Sequence, residues 1–106
     1  MVEESVESSA SPRLLAVDVG NTNTVLGLYE GSTLVRHWRL TSRRDATADE
    51  ISLSIEGLLR PIPGGNEPDD VIVASVVPSL RFPMRQAFRQ LFRREAIFIE
   101  PGIKTG

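Results

Sequence analysis

Hydrophobic residues near the start of the chain recur in short runs that predict strands. Leu14 to Val19 is an almost continuous apolar run, a pattern typical of a strand buried on both faces. A turn cluster at residues 20–23 separates it from a second strand at residues 24–29, and a tight turn leads into a third at residues 33–40. Strands joined by such short connections are antiparallel neighbours, so this part of the chain predicts a meander.

The spacing of the apolar residues then becomes helical. Thr47 can cap a helix whose third residue is Glu50, which is the arrangement of a capping box. The apolar positions at helical spacing are Ile51, Ile55, Leu58 and Leu59. The helical pattern stops before Pro61, and a loop rich in proline and glycine follows, up to Pro68.

A second strand-and-helix unit follows that loop. Residues 71–77 predict a strand that ends at Pro78, and Ser79 stands where a helix cap is expected. The apolar face of this helix would contain Leu80, Met84, Phe88, Leu91 and Phe92. A short strand at residues 96–99 comes last. The order β-β-β-α-β-α-β predicts an α/β fold in which helices pack on a mixed sheet.

Length and composition narrow the class of protein. The chain has 106 residues, 41% of them hydrophobic and 25% charged, which is typical of one globular domain. Residues 1–12 are acidic, rich in serine and poor in apolar side chains, so we expect a disordered leader before a domain at residues 13–106. No apolar run approaches the roughly 20 residues that a membrane helix needs, so we expect no membrane partner.

Charge and cysteine content exclude further classes. The net charge is −2, and without the glutamates of residues 1–12 the balance is 12 basic against 11 acidic residues, or +1. A nearly neutral domain offers no global field to nucleic acid, and we expect no nucleic-acid partner. The absence of cysteine excludes disulfides, thiolate metal sites and cysteine nucleophiles, and it fits a reducing cytoplasm.

The segment around the first turn has the residue types of a phosphate site. Asp18 ends a buried strand, where a bound cation such as Mg²⁺ would compensate its charge. Gly20 lets the backbone approach a ligand closely, and residues 21–24 concentrate hydrogen-bond donors, which suits phosphate oxygens. The alternative is an ordinary hairpin in which Asp18 only completes an Asx-type turn. The glycine motifs of P-loop NTPases and of dinucleotide-binding Rossmann domains are absent.

Two other features have a functional and a structural interpretation. Arg81, Arg85, Arg89 and Arg93 recur every four residues and would form a stripe along the second helix. The stripe could bind an anion or nucleic acid, but it lacks interleaved aromatic side chains for base stacking, so a solvated helix face is favoured. His37 has no second ligand at metal-binding spacing and is interpreted as structural.

Three motifs, in their expected order, resemble those of type III pantothenate kinases, which belong to the acetate kinase, sugar kinase, Hsp70 and actin superfamily. The segment at residues 18–29 is similar to the first phosphate motif of that family. Residues 74–80 resemble its strand-to-helix junction, and residues 101–106 resemble the loop that leads to its pantothenate pocket. The resemblance covers residues 13–106 and implies the N-terminal half-domain of an actin-like (RNase H-like) ATPase fold.

The resemblance implies ATP-dependent phosphorylation of pantothenate to 4′-phosphopantothenate, the first step of coenzyme A biosynthesis, by a cytoplasmic homodimer. It implies ATP, Mg²⁺ and a monovalent cation (K⁺ or NH₄⁺) as cofactors, with Asp18 as the metal residue. The residues that would hold the ATP phosphates are Asp18, Val19, Gly20, Asn21, Thr22, Asn23, Thr24 and Val25. The substrate loop would contain Gly102, Lys104, Thr105 and Gly106.

One catalytic element of the family is expected outside this chain. The general base of type III pantothenate kinases is an aspartate in a Gly-Ala-Asp-Arg motif, which would follow Gly106. We therefore expect no general base within the chain, and we interpret the chain as the N-terminal half of a kinase that is inactive by itself. The alternative is a non-catalytic regulatory or interaction protein on the same fold.

Overall fold

A five-stranded mixed sheet organises the computed structural model, which describes residues 11–65 and 67–99. Its strands are β1 (Arg13–Val19), β2 (Asn23–Glu30), β3 (Thr33–Thr41), β4 (Asp70–Ser75) and β5 (Ile97–Ile99). They lie in the order β3-β2-β1-β4-β5. The β1–β2 and β2–β3 pairs are antiparallel, whereas the β1–β4 and β4–β5 pairs are parallel. The predicted meander and the mixed α/β sheet are confirmed.

Two segments singled out in the sequence fall on residues that the structure does not describe. The predicted leader at residues 1–12 is described only at residues 11 and 12. The predicted substrate loop, with Gly102, Lys104, Thr105 and Gly106, lies outside the described residues altogether. Both interpretations stay predictions.

Two helices form the crossover connections. Helix α1 (Ala48–Leu59) connects β3 to β4, and helix α2 (Arg81–Phe92) connects β4 to β5. The capping box of α1 is confirmed, because the Glu50 N–H donates to Thr47 Oγ1 at 3.1 Å and the Thr47 N–H donates to Glu50 Oε1 at 3.0 Å. Neither helix is long and apolar enough to cross a membrane, and the same holds for the rest of the described chain.

The start of α2 differs from the prediction. Ser79 does not cap the helix: it lies in a 3₁₀ turn (Pro78–Leu80), and its hydroxyl donates to the carbonyl of Arg44 at 3.0 Å. The residue at the cap position is Leu80, which makes no side-chain cap hydrogen bond. Pro83 falls in the first turn of α2, where a backbone N–H has no partner within the helix, so the helix continues through it.

The hydrophobic core lies between the two helices and one face of the sheet. It contains, among others, Leu15, Val17, Val19, Leu26, Leu28, Ile51, Ile55, Leu59, Val71, Val73, Met84 and Phe88. On the opposite face Ala16 is half-buried and Asp18 is exposed. The prediction that the first strand is buried on both faces is therefore wrong for the described part of the chain. The physical reason is that α1 and α2 pack against the same side of the sheet, so alternate residues of β1 face away from them.

Candidate functional site

The candidate site lies where the carboxyl ends of β1 and β4 meet. These strands are parallel, and their register places Asp18 beside Ala74 and Val19 beside Ser75. The Val76 N–H donates to the Val19 carbonyl at 3.0 Å and so extends the pairing to the end of β1. In open α/β sheets, ligands bind at the carboxyl ends of such strands. The β1–β2 turn, which is the predicted phosphate hairpin, is at this edge.

The hairpin turn is closed by a short hydrogen bond and has little free space at its first residue. The Gly20 N–H donates to the Asn23 carbonyl at 2.9 Å. A Cβ atom on Gly20 would stand 3.1 Å from that same carbonyl oxygen, which is tighter than an ordinary contact. A side chain here would require the Asn23 carbonyl to move by a few tenths of an ångström, so glycine suits the position, and the predicted close approach of Gly20 to a ligand stays a prediction.

Ser42, which directly follows β3, anchors the hairpin from the side. Its hydroxyl donates to the Gly20 carbonyl at 2.6 Å, and its backbone N–H donates to the Thr22 carbonyl at 2.8 Å. The same hydroxyl lies 2.8 Å from the Thr24 hydroxyl. The sequence interpretation missed Ser42. The predicted antiparallel pairing of the second and third strands implies that the end of the third strand lies near the hairpin, but no sequence motif identifies Ser42.

Two arginines in residues 39–44, the segment that also contains Ser42, contact the asparagine side chains of the hairpin. Arg44 Nη2 donates to Asn21 Oδ1 at 3.0 Å, and Arg39 Nη1 donates to Asn23 Oδ1 at 3.2 Å. All four side chains are exposed or half-buried at the surface of the hairpin. Neither arginine was identified from the sequence.

Asp18 presents an accessible carboxylate to the uncovered face of the sheet. Its side chain is exposed and lines an open cavity of about 610 Å³, together with Val25, Gly27, Ile72 and Ala74. Within residues 11–65 and 67–99 the carboxylate has no hydrogen-bond or ion-pair partner. The Asx-type turn, in which Asp18 would be bound to its own hairpin, is therefore not formed.

Asp18 is a single carboxylate, which suits Mg²⁺ with water and phosphate ligands better than a metal ion that is coordinated only by protein side chains. The described residues contain no group of three or more histidine, aspartate or glutamate side chains that could hold a metal ion. Mg²⁺ keeps several of its waters and binds through one or two carboxylates together with substrate phosphates, so a single free carboxylate suffices. Asp18 could hold such an ion directly or through water.

Comparison with known sequences identifies the family to which this chain is similar. A sequence model of type III pantothenate kinase matches residues 14–106. The type III pantothenate kinase of Anaeromyxobacter dehalogenans is 45% identical to the chain over 96 residues, and that of Halalkalibacterium halodurans is 42% identical over 96 residues. The chain belongs to the type III pantothenate kinase family.

The matched region is one part of a longer family member. The alignments cover 88% of this chain but 37% of each of the two relatives. A solved structure from Bacteroides thetaiotaomicron, described as a protein with an actin-like ATPase fold and unknown function, matches with a TM-score of 0.62 and 8% identity, over 92% of this chain and 37% of that one. The predicted actin-like ATPase fold is thereby confirmed for this member of the type III pantothenate kinase family, whereas the predicted domain bounds stay a prediction.

The eight residues predicted to hold phosphates do not all face the same way. Val19 is fully buried, and Thr24 is buried, with its hydroxyl beside Ser42, so these two side chains face the helices. Asn21 and Thr22 are exposed at the turn, and Asn23 and Val25 lie on the face that carries Asp18. Val19 could meet a phosphate only through its backbone, whereas the Thr24 side chain lies on the helix side of the sheet, away from Asp18.

The arginine stripe of α2 has structural partners in the folded chain. The Arg85 guanidinium stands 4.6 Å from the ring centroid of Phe98 in β5, and that of Arg81 stands 5.9 Å from it. Arg89 forms an ion pair with Glu95. These contacts favour a role in holding β5 against the helix, so the prediction of a simply solvated face is incomplete.

A second cavity lies on the helix side of the sheet. It has a volume of about 330 Å³ and is mostly apolar, with Leu26, Ile51 and Met84 among its lining residues. It also reaches Thr24 and Ser42, but it is on the opposite side of the sheet from the Asp18 carboxylate. The sheet itself therefore separates this cavity from the candidate metal site.

Proposed function

We propose that the chain provides the phosphate-binding half of an ATP-dependent pantothenate kinase, which produces 4′-phosphopantothenate in the first step of coenzyme A biosynthesis. One observation supports this most directly: a donor-rich hairpin and an unpartnered carboxylate meet at the carboxyl ends of two parallel strands. Phosphoryl transfer depends mainly on positioning and on charge stabilisation, and these are the two properties that this arrangement can supply.

The proposed roles divide between the hairpin and Asp18. N–H groups and side-chain donors of residues 20–23 would hold the phosphate oxygens of ATP, and Asp18 would position Mg²⁺ against them. When bound, Mg²⁺ neutralises charge that develops on the phosphates. The pantothenate hydroxyl would attack the γ-phosphorus as the bond to the ADP oxygen breaks. Its proton would pass to a general base, which the family resemblance assigns to an aspartate outside residues 13–106.

The other proposed properties come from the family resemblance. We propose a monovalent cation (K⁺ or NH₄⁺) as a further cofactor, a homodimer as the active form, and a cytoplasmic location. The absence of cysteine is compatible with that location. We also propose that residues 101–106 contribute the substrate loop, with Gly102, Lys104, Thr105 and Gly106 near pantothenate.

The test is a chimera with a relative. Residues 14–106 would replace the matching segment of the Anaeromyxobacter dehalogenans type III pantothenate kinase, which is 45% identical. We expect the chimera to phosphorylate pantothenate with ATP and Mg²⁺, because the transplanted hairpin and Asp18 would complete the cleft. The relative itself is the positive control, and the 106-residue chain alone is expected to show no turnover.

Two outcomes would count against the proposal. A folded chimera that binds MgATP without transferring phosphate would favour the non-catalytic interpretation of this chain. A folded chimera that fails to bind MgATP would show that the hairpin is not a phosphate site. Circular dichroism and gel filtration of the chimera would establish that it is folded.

A further inference from the structure

Most oxygen acceptors of the phosphate hairpin (residues 20–23) are engaged by neighbouring donors. Five oxygens accept hydrogen bonds: the carbonyls of Gly20, Thr22 and Asn23 and the side-chain Oδ1 atoms of Asn21 and Asn23. Four of these five bonds come from the segment at residues 39–44, and the fifth comes from the Gly20 N–H. A phosphate carries only acceptor oxygens at its surface when ionised, so a hairpin with engaged acceptors opposes it less.

The arginines also decide how the asparagine amides are turned. A guanidinium has hydrogen-bond donors and no acceptor, so the amide group that faces it must be the oxygen. In a planar amide, the NH₂ group then points to the other side. Arg44 therefore turns the NH₂ of Asn21 away from itself, and Arg39 does the same for Asn23.

We infer that Arg39 and Arg44 are positioning residues of the phosphate site, which act by orienting the amides of Asn23 and Asn21 so that their NH₂ groups are presented to an anion. This inference rests on the proposed function, because the anion would be the phosphate chain of MgATP. The two arginines would thus act through the asparagines and would not be the groups that bind phosphate.

A different role for the same arginines makes a different prediction. Both are exposed cations beside an anion site, so they could attract phosphate by their own charge. In that case, their contribution would not depend on the asparagines. A double-mutant cycle separates the two cases, because residues that act through one contact are non-additive and independent residues are additive.

The experiment measures the MgATP affinity of the chimera described above by calorimetry, with each substitution made in the transplanted segment. Arg44→Met should weaken binding about tenfold. This is the change in affinity expected when one hydrogen bond to a charged group is lost, here the bond from the Asn21 amide to the phosphate. Asn21→Ala should weaken binding by a similar factor. Arg44→Met in the Asn21→Ala background should then have no further effect. Arg43→Met is the matched control, since it removes the same charge from the adjacent residue, whose guanidinium contacts neither asparagine.

The cycle can overturn the inference. Full additivity of Arg44→Met and Asn21→Ala, or an equal loss with Arg43→Met, would show that the arginine acts through its charge alone. Arg44→Lys keeps the charge but not the planar donor fork of the guanidinium, so it should retain the MgATP affinity only if the arginine acts through its charge. A rescued affinity in Arg44→Lys, together with additivity, would exclude the positioning role.

A ligand-free measurement keeps the inference separate from the proposed function. The side-chain NH₂ resonances of Asn21 should shift in Arg44→Met and those of Asn23 should stay unchanged, with the reverse in Arg39→Met. If these resonances do not respond, the inference is wrong whatever the chain binds. If they respond and the unsubstituted chimera binds no MgATP, the orientation of the amides is established and the proposed phosphate site is rejected.

Discussion

At the scale of single residues, alternation along one strand decides what Asp18 can do. Its neighbours Val17 and Val19 are buried against the helices, whereas Asp18 itself points to the uncovered face. A carboxylate on the other face would enter the apolar core and would need a compensating partner. Here the carboxylate is exposed, so a Mg²⁺ ion could reach it.

Asp18→Asn should remove Mg²⁺-dependent MgATP binding and leave the fold intact. The loss in affinity should be at least about tenfold because the charge on the metal ligand is removed, while the free energy of unfolding should change by less than about 0.5 kcal/mol at this exposed position. Calorimetry with and without Mg²⁺ and urea unfolding would measure both quantities. Asp70→Asn, at an exposed carboxylate at the start of β4, is the matched control and should bind normally. Unchanged binding in Asp18→Asn would show that the carboxylate has no part in the site.

At the scale of secondary-structure elements, the two helices differ at both ends. Helix α1 begins with a complete capping box, whereas α2 begins after a 3₁₀ turn and has no side-chain cap. An arginine stands at the carboxyl-terminal cap of each helix. Arg60 has right-handed helical geometry with φ −54°, and Arg93 has left-handed geometry with φ 59°.

Thr47→Ala should lower the free energy of unfolding by about 1 kcal/mol, because the Glu50 N–H loses its acceptor. Urea unfolding followed by circular dichroism would measure the change. Ser54→Ala, in the middle of the same helix, is the control and should cost nothing, since alanine favours helix formation more than serine. An equal loss in the two variants would mean that the capping box does not stabilise α1.

Arg93→Gly should raise the free energy of unfolding by about 0.5 kcal/mol, because glycine adopts the left-handed geometry without the steric cost of a Cβ atom. Arg60→Gly removes the same side chain from a right-handed cap and should lower it by about 0.5–1 kcal/mol. Thermal unfolding of the pair would show opposite shifts. A decrease in both variants would contradict the assignment of strain to Arg93.

At the scale of the whole molecule, the sheet has two different faces. The face toward α1 and α2 carries the core, and no helix among the described residues covers the other one. Ile97 and Ile99 of β5 are 52% and 50% exposed on that second face. The candidate Mg²⁺ residue lies on this second face, so the proposed metal site and the hydrophobic core lie on opposite sides of one sheet.

Replacement of valine by threonine, which conserves shape, should separate the two faces. Val73→Thr should lower the free energy of unfolding by about 2 kcal/mol, because a hydroxyl would be buried in the hydrophobic core without a side-chain hydrogen-bond partner. Val25 is in β2 and lies on the second face of the sheet. Val25→Thr should lower the free energy of unfolding by less than about 1 kcal/mol. Urea unfolding measures both. Similar losses would show that the second face is as tightly packed as the first.

Local pattern was sufficient to predict most of the fold. The order of strands and helices, the capping box at Thr47 and Glu50, and the core residues of α2 are determined by spacing within a few residues, which is a property of the sequence itself. The Asp18 hairpin was recognisable for the same reason, since its residue types are adjacent in the chain. The cap of α2 was not predicted correctly, because the Ser79 hydroxyl is engaged by the distant Arg44 carbonyl.

The sequence by itself determined the elements and their order, and it predicted the phosphate hairpin. The tertiary structure alone decided that both helices lie on one face, which leaves Asp18 accessible on the other. It also decided that Arg39, Ser42 and Arg44 reach a turn some twenty residues earlier in the chain. These contacts depend on the pairing register of β2 with β3. The turn and the hydrophobic pattern favour that register, but it includes a shift between Leu28 and Tyr29, so the partners of the hairpin follow only from the assembled sheet.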